Sequence, residues 1–220
     1  SVLMLKRLVF ALAAYVAFVV STEAHPHLFS TMQTVVMTTG DGKISGLRIR
    51  WNFDETYTQF SLEGLDVNNN GTYEPDEIKP LTDENIKSLV ESKYFTAAKH
   101  GATEIPQGAV TVYGQDMVDG KLSLWFELPF TAPVDPKAAA FEVRIYDPDF
   151  FIGFDYLAEK PVLLEGQLAA GCTMELKPLP TTEELDQTRA MLSDKPQDWK
   201  PDQPTDFGSM FAQPLVVSCQ

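Results

Sequence analysis

The amino-acid sequence predicts an α+β protein with a mainly antiparallel, sandwich-like β body and one helical insertion. Apolar residues recur with a period of two on both sides of short glycine-containing turns, which is typical of β-hairpins. Between two such regions, the apolar spacing changes to that of a helix. The alternating βα pattern of two-lobed solute receptors does not occur in the sequence, so a parallel doubly wound sheet is not expected.

Two hairpins make up most of the predicted β body. Residues 29–37 and 44–53 are rich in β-branched and apolar residues, and Gly40-Asp41-Gly42 between them supplies a turn. Residues 109–130 form the second hairpin, turned near Asp119-Gly120. Further strands are expected before Asp147-Pro148 and at residues 161–164, 173–176 and 215–218.

Helical segments are expected at residues 54–64, 82–99 and 182–192. In the second segment, Thr82 and the two acids after it offer an N-cap and a first turn. Four apolar residues then recur at helical spacing, namely Ile86, Leu89, Val90 and Tyr94. Residues 54–100 are therefore predicted to be a helical insertion within a single domain, residues 25–220.

The start of the chain has the pattern of a secretory signal peptide. Lys6 and Arg7 precede an apolar run over residues 8–20, which is shorter than the roughly 20 residues that a membrane span needs. Small residues at its end favour cleavage after Ala24, so residues 1–24 are expected to be removed and the mature protein to lie in the periplasm. An uncleaved N-terminal anchor would leave the same domain on the same side of the membrane.

The net charge of the chain limits the class of partner that it can bind. The chain has 31 acidic and 17 basic residues, a net charge of −14. This charge argues against nucleic acid or an anionic membrane surface as partner and favours cations.

Cys172 and Cys219 both follow the signal segment, and an oxidising compartment permits them to form a disulfide. The alternative is two buried free thiols.

The stretch DVNNNGTYEPDE, residues 66–77, matches the EF-hand calcium loop at every constrained position. The expected Ca²⁺ ligands are Asp66, Asn68, Asn70, the backbone carbonyl of Thr72, Glu74 and Glu77. Only three of them are acidic, and Pro75 and Pro80 lie where a regular exit helix would begin. A structural site with a dissociation constant on the order of 10⁻⁴ to 10⁻³ M is therefore expected. The alternative is an asparagine-rich turn that needs no metal.

Two of the three histidines, His25 and His27, directly follow the predicted cleavage site. Once Ala24 is removed, the α-amine and imidazole of His25 can chelate one metal ion, and His27 can supply a third nitrogen. Such nitrogen-rich sites suit Ni²⁺, Co²⁺, Zn²⁺ or Cu²⁺. Further ligands could come from His100, Asp147, Asp149 or Asp155. The alternative is that both histidines are a polar flank left by processing.

Several motifs follow one another along the chain: AHPHLF, WNFDE, LDVNNNGTYEPDE, YF, YDPDFF and FGSMFAQPLVVSC. In this order they resemble a bacterial family of unknown function, whose members are described as the periplasmic component of an uncharacterised ABC-type transport system. The resemblance implies His25 and His27 as the metal-facing start, residues 66–77 as an EF-hand-like loop, and Asp147 as the acid of the YDP motif. It also implies a membrane metal transporter or permease as partner, because the family's genes tend to lie beside nickel/cobalt-type exporters or permeases.

The sequence thus favours a non-enzymatic metal-binding accessory protein of a transition-metal transport system. No G-x-S-x-G, H-E-x-x-H, P-loop or Rossmann pattern occurs. A copper oxidase with a histidine brace is one further hypothesis. The main alternative is a calcium-stapled β module that binds a protein partner. In that hypothesis the five aromatics of residues 146–156 form a surface, although packing in the core is their commoner fate.

Overall fold

The computed structural model describes residues 26–179, 182–196, 199–200, 202 and 206–220. In these ranges, eleven strands form two mostly antiparallel sheets, accompanied by four helices and one short 3₁₀ turn. The predicted α+β class with a β-rich body is therefore confirmed. None of the helices in this part of the chain is long and apolar enough to cross a membrane.

The elements follow one another in a simple order along the chain. The strands are β1 (Leu28–Thr38), β2 (Ile44–Phe53), β3 (Thr96–His100), β4 (Thr103–Glu104), β5 (Tyr113–Val118), β6 (Lys121–Val134), β7 (Phe141–Ile145), β8 (Ile152–Tyr156), β9 (Val162–Glu165), β10 (Cys172–Leu176) and β11 (Leu215–Cys219). The helices are α1 (Glu55–Leu62), α2 (Pro75–Leu89), α3 (Glu183–Ser193) and α4 (Phe207–Met210).

The first sheet has the strand order β5-β6-β2-β1-β8, and β9 also pairs with β1. Both predicted hairpins, β1–β2 and β5–β6, are present and antiparallel. The second hairpin turns at Asp119 and Gly120, whose φ angles of 51° and 75° are those of a type I′ turn. Strands β8 and β9 run parallel to β1, so the central strand of this sheet receives partners from a distant part of the chain.

The second sheet has the order β10-β11-β7-β3-β4 and contributes to the same hydrophobic core as the first. Phe130 of β6 and Phe141 of β7 meet across the two sheets with ring centroids 5.9 Å apart. In the first sheet, the Trp51 ring contacts Phe126 and Phe154 at 5.1 and 5.0 Å. Burial of each such side chain contributes about 1.5–3 kcal/mol to folding.

The helix predicted over residues 82–99 is wrong at both ends. Helix α2 begins at Pro75, where a missing N–H costs nothing and the fixed φ suits the first turn. Glu74 and Glu77 form a capping box around this start. Pro75 therefore begins the exit helix that the sequence argument expected it to prevent, and Pro80 is accommodated inside the same helix.

The far end of the predicted helix is replaced by a left-handed turn and a strand. Lys93, Tyr94 and Phe95 have φ angles of 50°, 55° and 50°. L-residues pay about 1–2 kcal/mol each in this region, so packing must stabilise the turn. The Tyr94 ring contacts Phe126 at 5.2 Å, and Phe95 contacts Trp51 at 6.2 Å. The insertion at residues 54–100 is thus helical only as far as Leu89, and it ends in β3.

The predicted Cys172–Cys219 disulfide is present and joins β10 to β11. The two residues lie opposite each other in the strand register and are 47 positions apart in the sequence. In the chain-entropy description, closing a loop of this length stabilises the fold by about 4 kcal/mol. The bond therefore fastens β10, the edge strand of the second sheet, to β11.

Candidate functional site

Pro26, His27 and Leu28 lie beside the YDPDFF motif, residues 146–151. The backbone N–H groups of His27 and Leu28 both donate to the carbonyl of Phe151, at 2.9 and 3.2 Å. The rings of His27 and Phe151 lie 5.1 Å apart. Pro26 lies so close to Gly153 that a β-carbon on Gly153 would come within 2.8 Å of the proline ring. His25 itself lies outside the described residues.

Asp147 organises the turn of the YDPDFF motif. Its Oδ1 accepts from the N–H of Asp149 at 3.0 Å, and its Oδ2 accepts from Phe151 and Ile152 at 3.1 Å each. The side chain is only 7% exposed, and this burial raises the pKa of the Asp147 carboxyl despite the three donors. These contacts give Asp147 a structural role, and its role as a metal ligand stays a prediction.

The C-terminal segment covers the other side of this turn. Gly208 of α4 lies so close to the turn that an added β-carbon would come within 1.9 Å of the Asp147 carbonyl oxygen. The Phe150 and Phe211 rings stack at 4.5 Å. The Tyr146 hydroxyl donates to Asp206 at 3.0 Å, and burial together with this contact raises the pKa of Tyr146 to about 12. The YDP and FGS motifs therefore form one packed unit.

A pocket of about 290 Å³ opens where these segments meet. Pro26, Asp147, Asp155 and Arg189 contribute to its wall, together with aromatic side chains from both ends of the chain. Asp155 is exposed, and it lies on β8 beside the first residues of β1. The pocket thus brings two of the predicted carboxylates next to the N-terminal segment.

The other two candidate ligands do not join this pocket. Asp149 is exposed and is not part of the pocket wall. Thr96, at one end of β3, is paired with Ile145, which precedes the YDP motif. His100 lies at the other end of the same strand. Four residue steps along the strand separate these levels, which is about 13 Å. The His100 Nε2 is instead 2.8 Å from the Asp135 carbonyl oxygen.

Sequence reasoning missed the pocket residues that come from the C-terminal part of the chain, namely Leu179, Arg189, Gly208 and Phe211. None of them belongs to a local metal-binding or catalytic pattern. The FGSMF motif was the one signal that pointed to Gly208 and Phe211. Its contact with residues about 60 positions earlier depends on chain topology, which the spacing of residues does not reveal.

The EF-hand-like loop, residues 66–77, is stabilised by its own polar side chains. Asp66 accepts from the N–H groups of Asn70 and Gly71, at 3.1 and 2.9 Å. Gly71 has a φ of 80°, as the sharp turn at loop position 6 requires. Glu77 reaches back to the N–H groups of Val67 and Asn68, at 3.0 and 3.3 Å. The first and last acids of the template therefore both point into the loop.

Glu74 accepts a second set of hydrogen bonds within this loop. Its carboxylate accepts from Asn70 Nδ2 at 2.7 Å, from the Thr72 hydroxyl at 2.8 Å and from Asn68 Nδ2 at 3.3 Å. The hydrogen bond from Asn70 is the main cause that lowers the pKa of Glu74 to about 2. The predicted side chains thus converge on Glu74, with the Nδ2 groups of Asn68 and Asn70 turned towards it, and their role as Ca²⁺ ligands stays a prediction.

No three His, Cys, Asp or Glu side chains in the described ranges come together as a metal-holding group. The three acids of the loop therefore do not form a metal centre by themselves. A calcium ion there depends equally on the asparagine oxygens and a backbone carbonyl, which are ordinary Ca²⁺ ligands.

The chain matches the model of the family described as protein of unknown function (DUF1007) over residues 10–219. It belongs to the DUF1007 family. It is also similar to an "uncharacterized 15.5 kDa protein in trpE 3′ region" of Spirochaeta aurantia, with 26% identity over 100 residues, 46% of this chain and 71% of that protein. The resemblance to a family of unknown function is thus confirmed, and neither description names a ligand, an activity or a partner.

The first prediction concerns the docking of α4 on the DUF1007 chain's YDP turn. Gly208→Ala should expose this turn, because the new methyl group cannot fit against the Asp147 carbonyl. Hydrogen exchange at the Phe151 and Ile152 amides should become at least about tenfold faster, a change of about 1.4 kcal/mol in local opening. Gly40→Ala is the control, because a β-carbon there meets no atom within 4 Å. Equal exchange in the two variants would contradict the packing argument.

The second prediction concerns the pH dependence of the loop in calcium-free protein. The Glu74 pKa is lowered from 4.5 to about 2, so its hydrogen bonds stabilise the loop above pH 4.5 and are lost as the pH falls towards 2. The Glu74 carboxyl resonance should titrate with a midpoint near 2. Glu74→Gln should flatten the pH dependence of the loop amide resonances, whereas Glu91→Gln, an exposed acid after α2, should leave it unchanged. A Glu74 midpoint near 4.5 would show that these hydrogen bonds do not persist in solution.

Proposed function

We propose that this DUF1007 protein is an exported, non-enzymatic accessory protein that binds a transition-metal ion at its processed amino terminus and passes it to a membrane transporter. One observation carries the proposal: Pro26 lines the same pocket as Asp155, and the N–H of the next residue, His27, donates to the Phe151 carbonyl. His25, the other histidine of this proposal, lies outside the described residues.

The donor set suits a borderline transition metal. The α-amine and imidazole of His25 supply two nitrogens, and His27 and the exposed Asp155 carboxylate are the proposed further donors. Nitrogen donors with one carboxylate are compatible with Ni²⁺, Co²⁺, Zn²⁺ or Cu²⁺. The net charge of −14 would raise the local concentration of any cation. Asp147 is the weaker candidate, because three backbone N–H groups already occupy its oxygens.

A place in a transport system follows from the same features. An exported acidic protein that holds a metal at an exposed terminus can release it to a partner without a large conformational change. Phe29 and Phe151 flank the N-terminal segment and are 53% and 36% exposed. Such apolar side chains at the rim of a site are suited to contact a protein partner. A membrane metal transporter or permease is the partner that this combination favours.

Calcium is proposed as a structural ligand of residues 66–77. The loop joins α1 to α2, and Glu77 belongs both to the ligand template and to the capping box of α2. A bound Ca²⁺ would therefore fix the start of α2. Its chemistry is limited to holding oxygen atoms together, because Ca²⁺ in such a loop has no redox role.

A second candidate function is a β module that binds a protein partner without a transition metal. The aromatic side chains of residues 146–156 include some that pack in the core and one that is exposed and could contact a partner. Phe150 and Phe154 are buried, whereas Phe151 and Phe29 are exposed. The exposed pair favours an interface, and the buried pair belongs to the packed interior.

The third prediction separates these functions by metal titration. Protein that begins at His25 should bind Ni²⁺, Co²⁺, Zn²⁺ or Cu²⁺ tightly in calorimetry, and one extra residue before His25 should weaken binding at least about tenfold, because the α-amine is lost as a ligand. Asp155→Asn should weaken binding less, and Asp149→Asn, outside the pocket, should not change it. Equally weak binding by both N-terminal forms would refute the metal function and favour the partner module.

The fourth prediction tests the calcium site separately. Glu77→Gln keeps a residue that can complete the capping box but removes a bidentate anionic ligand. At about 10 mM Ca²⁺, a site of the expected affinity should stabilise the wild-type protein by about 1.4–2.7 kcal/mol. In thermal denaturation this calcium-induced rise, measured for each protein from its own calcium-free melting temperature, should be absent from Glu77→Gln. The calcium-free variant should itself melt lower, because Gln cannot accept from both the Glu74 N–H and the Val67 and Asn68 N–H groups. A calcium response that the variant retains would rule out the loop as the site.

A further inference from the structure

The four arginines in the described ranges differ in what their guanidinium groups contact. Arg48, Arg50 and Arg144 each form a salt bridge with a carboxylate, at distances of 2.7–3.0 Å. The side chain of Arg189, on α3, forms no salt bridge or hydrogen bond with a described residue. Its guanidinium carbon lies instead 5.2 Å from the centroid of the Phe211 ring. Arg189 therefore keeps its N–H donors available for an anion from outside the chain.

This arginine lies at the pocket of about 290 Å³ that Pro26 and Asp155 help to line, and so does Phe211. The Phe211 ring is itself stacked on Phe150 at 4.5 Å, and the cation–π contact holds the guanidinium against this ring. A guanidinium that stacks on an aromatic ring can still use the N–H groups in its plane, and their fork matches the two oxygens of a carboxylate. Arg189 is exposed, so a ligand in the pocket can reach it.

The same pocket offers one carboxylate for a cation. Asp155 is exposed, and its side chain forms no hydrogen bond or salt bridge with a described residue. The oxygens of Asp147, the other acid of this wall, already accept from three backbone N–H groups. Arg189 and Asp155 line the pocket without a salt bridge to each other. The pocket therefore presents one group of each charge, and both are accessible to a ligand.

The rest of the wall is largely apolar. Four phenylalanines, two isoleucines and one leucine contribute to it. The volume of about 290 Å³ is at the lower end of the roughly 300–1,000 Å³ that is usual for small-molecule sites. A small molecule with an apolar body suits both the size and the wall of this pocket.

We propose that this pocket binds a small zwitterion, namely a free α-amino acid with an apolar side chain. Its carboxylate would accept from the Arg189 guanidinium, its protonated amine would donate to Asp155, and its side chain would contact the phenylalanines. A ligand with a carboxylate alone would bring a like charge to Asp155, and a ligand with an amine alone would do so at Arg189. The pair of charges therefore selects for both groups in one molecule.

This inference goes beyond the metal proposal and does not rest on it. A transition-metal ion at Asp155 would compete with the amine of the ligand, so the amino acid is expected to bind the metal-free protein. All titrations therefore use protein and buffer from which transition metals have been removed. Their outcome is then independent of whether the amino terminus binds a metal.

The test is a calorimetric titration of the full chain with L-phenylalanine and two analogues that keep its ring and chain length. The first analogue, 3-phenylpropanoate, lacks the amine, and the second, 2-phenylethylamine, lacks the carboxylate. L-Phenylalanine should bind saturably at one site. Each analogue should bind at least about tenfold more weakly, because one hydrogen-bonded charge pair is lost. The proposal is overturned if neither L-phenylalanine nor L-leucine binds, or if either analogue binds as tightly as L-phenylalanine.

Two surface variants assign the charges to their partners. Arg189→Gln should reduce the preference for L-phenylalanine over 2-phenylethylamine at least about threefold, and Asp155→Asn should do the same for the preference over 3-phenylpropanoate. Lys195→Gln is the control, because Lys195 also lies over an aromatic ring, that of Trp199 at 5.1 Å, but is not part of the pocket wall. The control should leave both preferences unchanged. The proposal is also overturned if Arg189→Gln and Asp155→Asn behave like this control, or if each lowers both preferences alike, which would indicate a merely structural role.

Discussion

The buried carboxylate of Asp147 is the constraint on which the N-terminal half of the candidate site depends. It accepts hydrogen bonds from three backbone N–H groups of the residues that follow it. In the resulting turn, the Phe151 carbonyl accepts from N–H groups at the start of β1. The same turn gives α4 the surface on which Gly208 rests. The N-terminal segment and α4 therefore meet at the turn that this carboxylate organises, and its three hydrogen bonds offset part of its desolvation.

Other acids in this chain work in a similar way. Asp54 accepts from the N–H of Tyr57 at the start of α1 and from the N–H of Phe29 in β1, at 2.7 and 2.9 Å. Glu77 and Asp66 hold N–H groups of the EF-hand-like loop. Several negative charges that suggest cation binding in the sequence thus also satisfy backbone donors. A metal at the loop would compete with these bonds, which is a physical reason to expect modest affinity.

The left-handed turn at Lys93, Tyr94 and Phe95 shows how the core overrides local preference. The spacing of Tyr94 fits a continued helix, and its burial is real. The turn reverses the chain so that Thr96 can pair with Ile145 in the second sheet. Contacts of Tyr94 and Phe95 with Phe126, Trp51 and Phe154 offset the backbone strain. The insertion is therefore tied to both sheets at one point.

The sequence by itself determined the elements whose cause is local. Strand alternation, the turn at Asp119-Gly120 and the helix expected at residues 182–192 depend on residues that are neighbours in the chain, and all three are present. The calcium template and the cysteine pair are likewise visible in the sequence. The start of α2 could have been found as well, because Pro at the first helical position and a capping box are local signals.

Only the tertiary structure decided what these elements make together. It placed β8 and β9 beside β1, the YDP turn beside Pro26, and Gly208 against that turn. It also separated His100 from the other predicted ligands. Such contacts join residues far apart in the chain, and they are fixed by the total burial of apolar surface and the pairing of backbone groups, which no short stretch of sequence encodes.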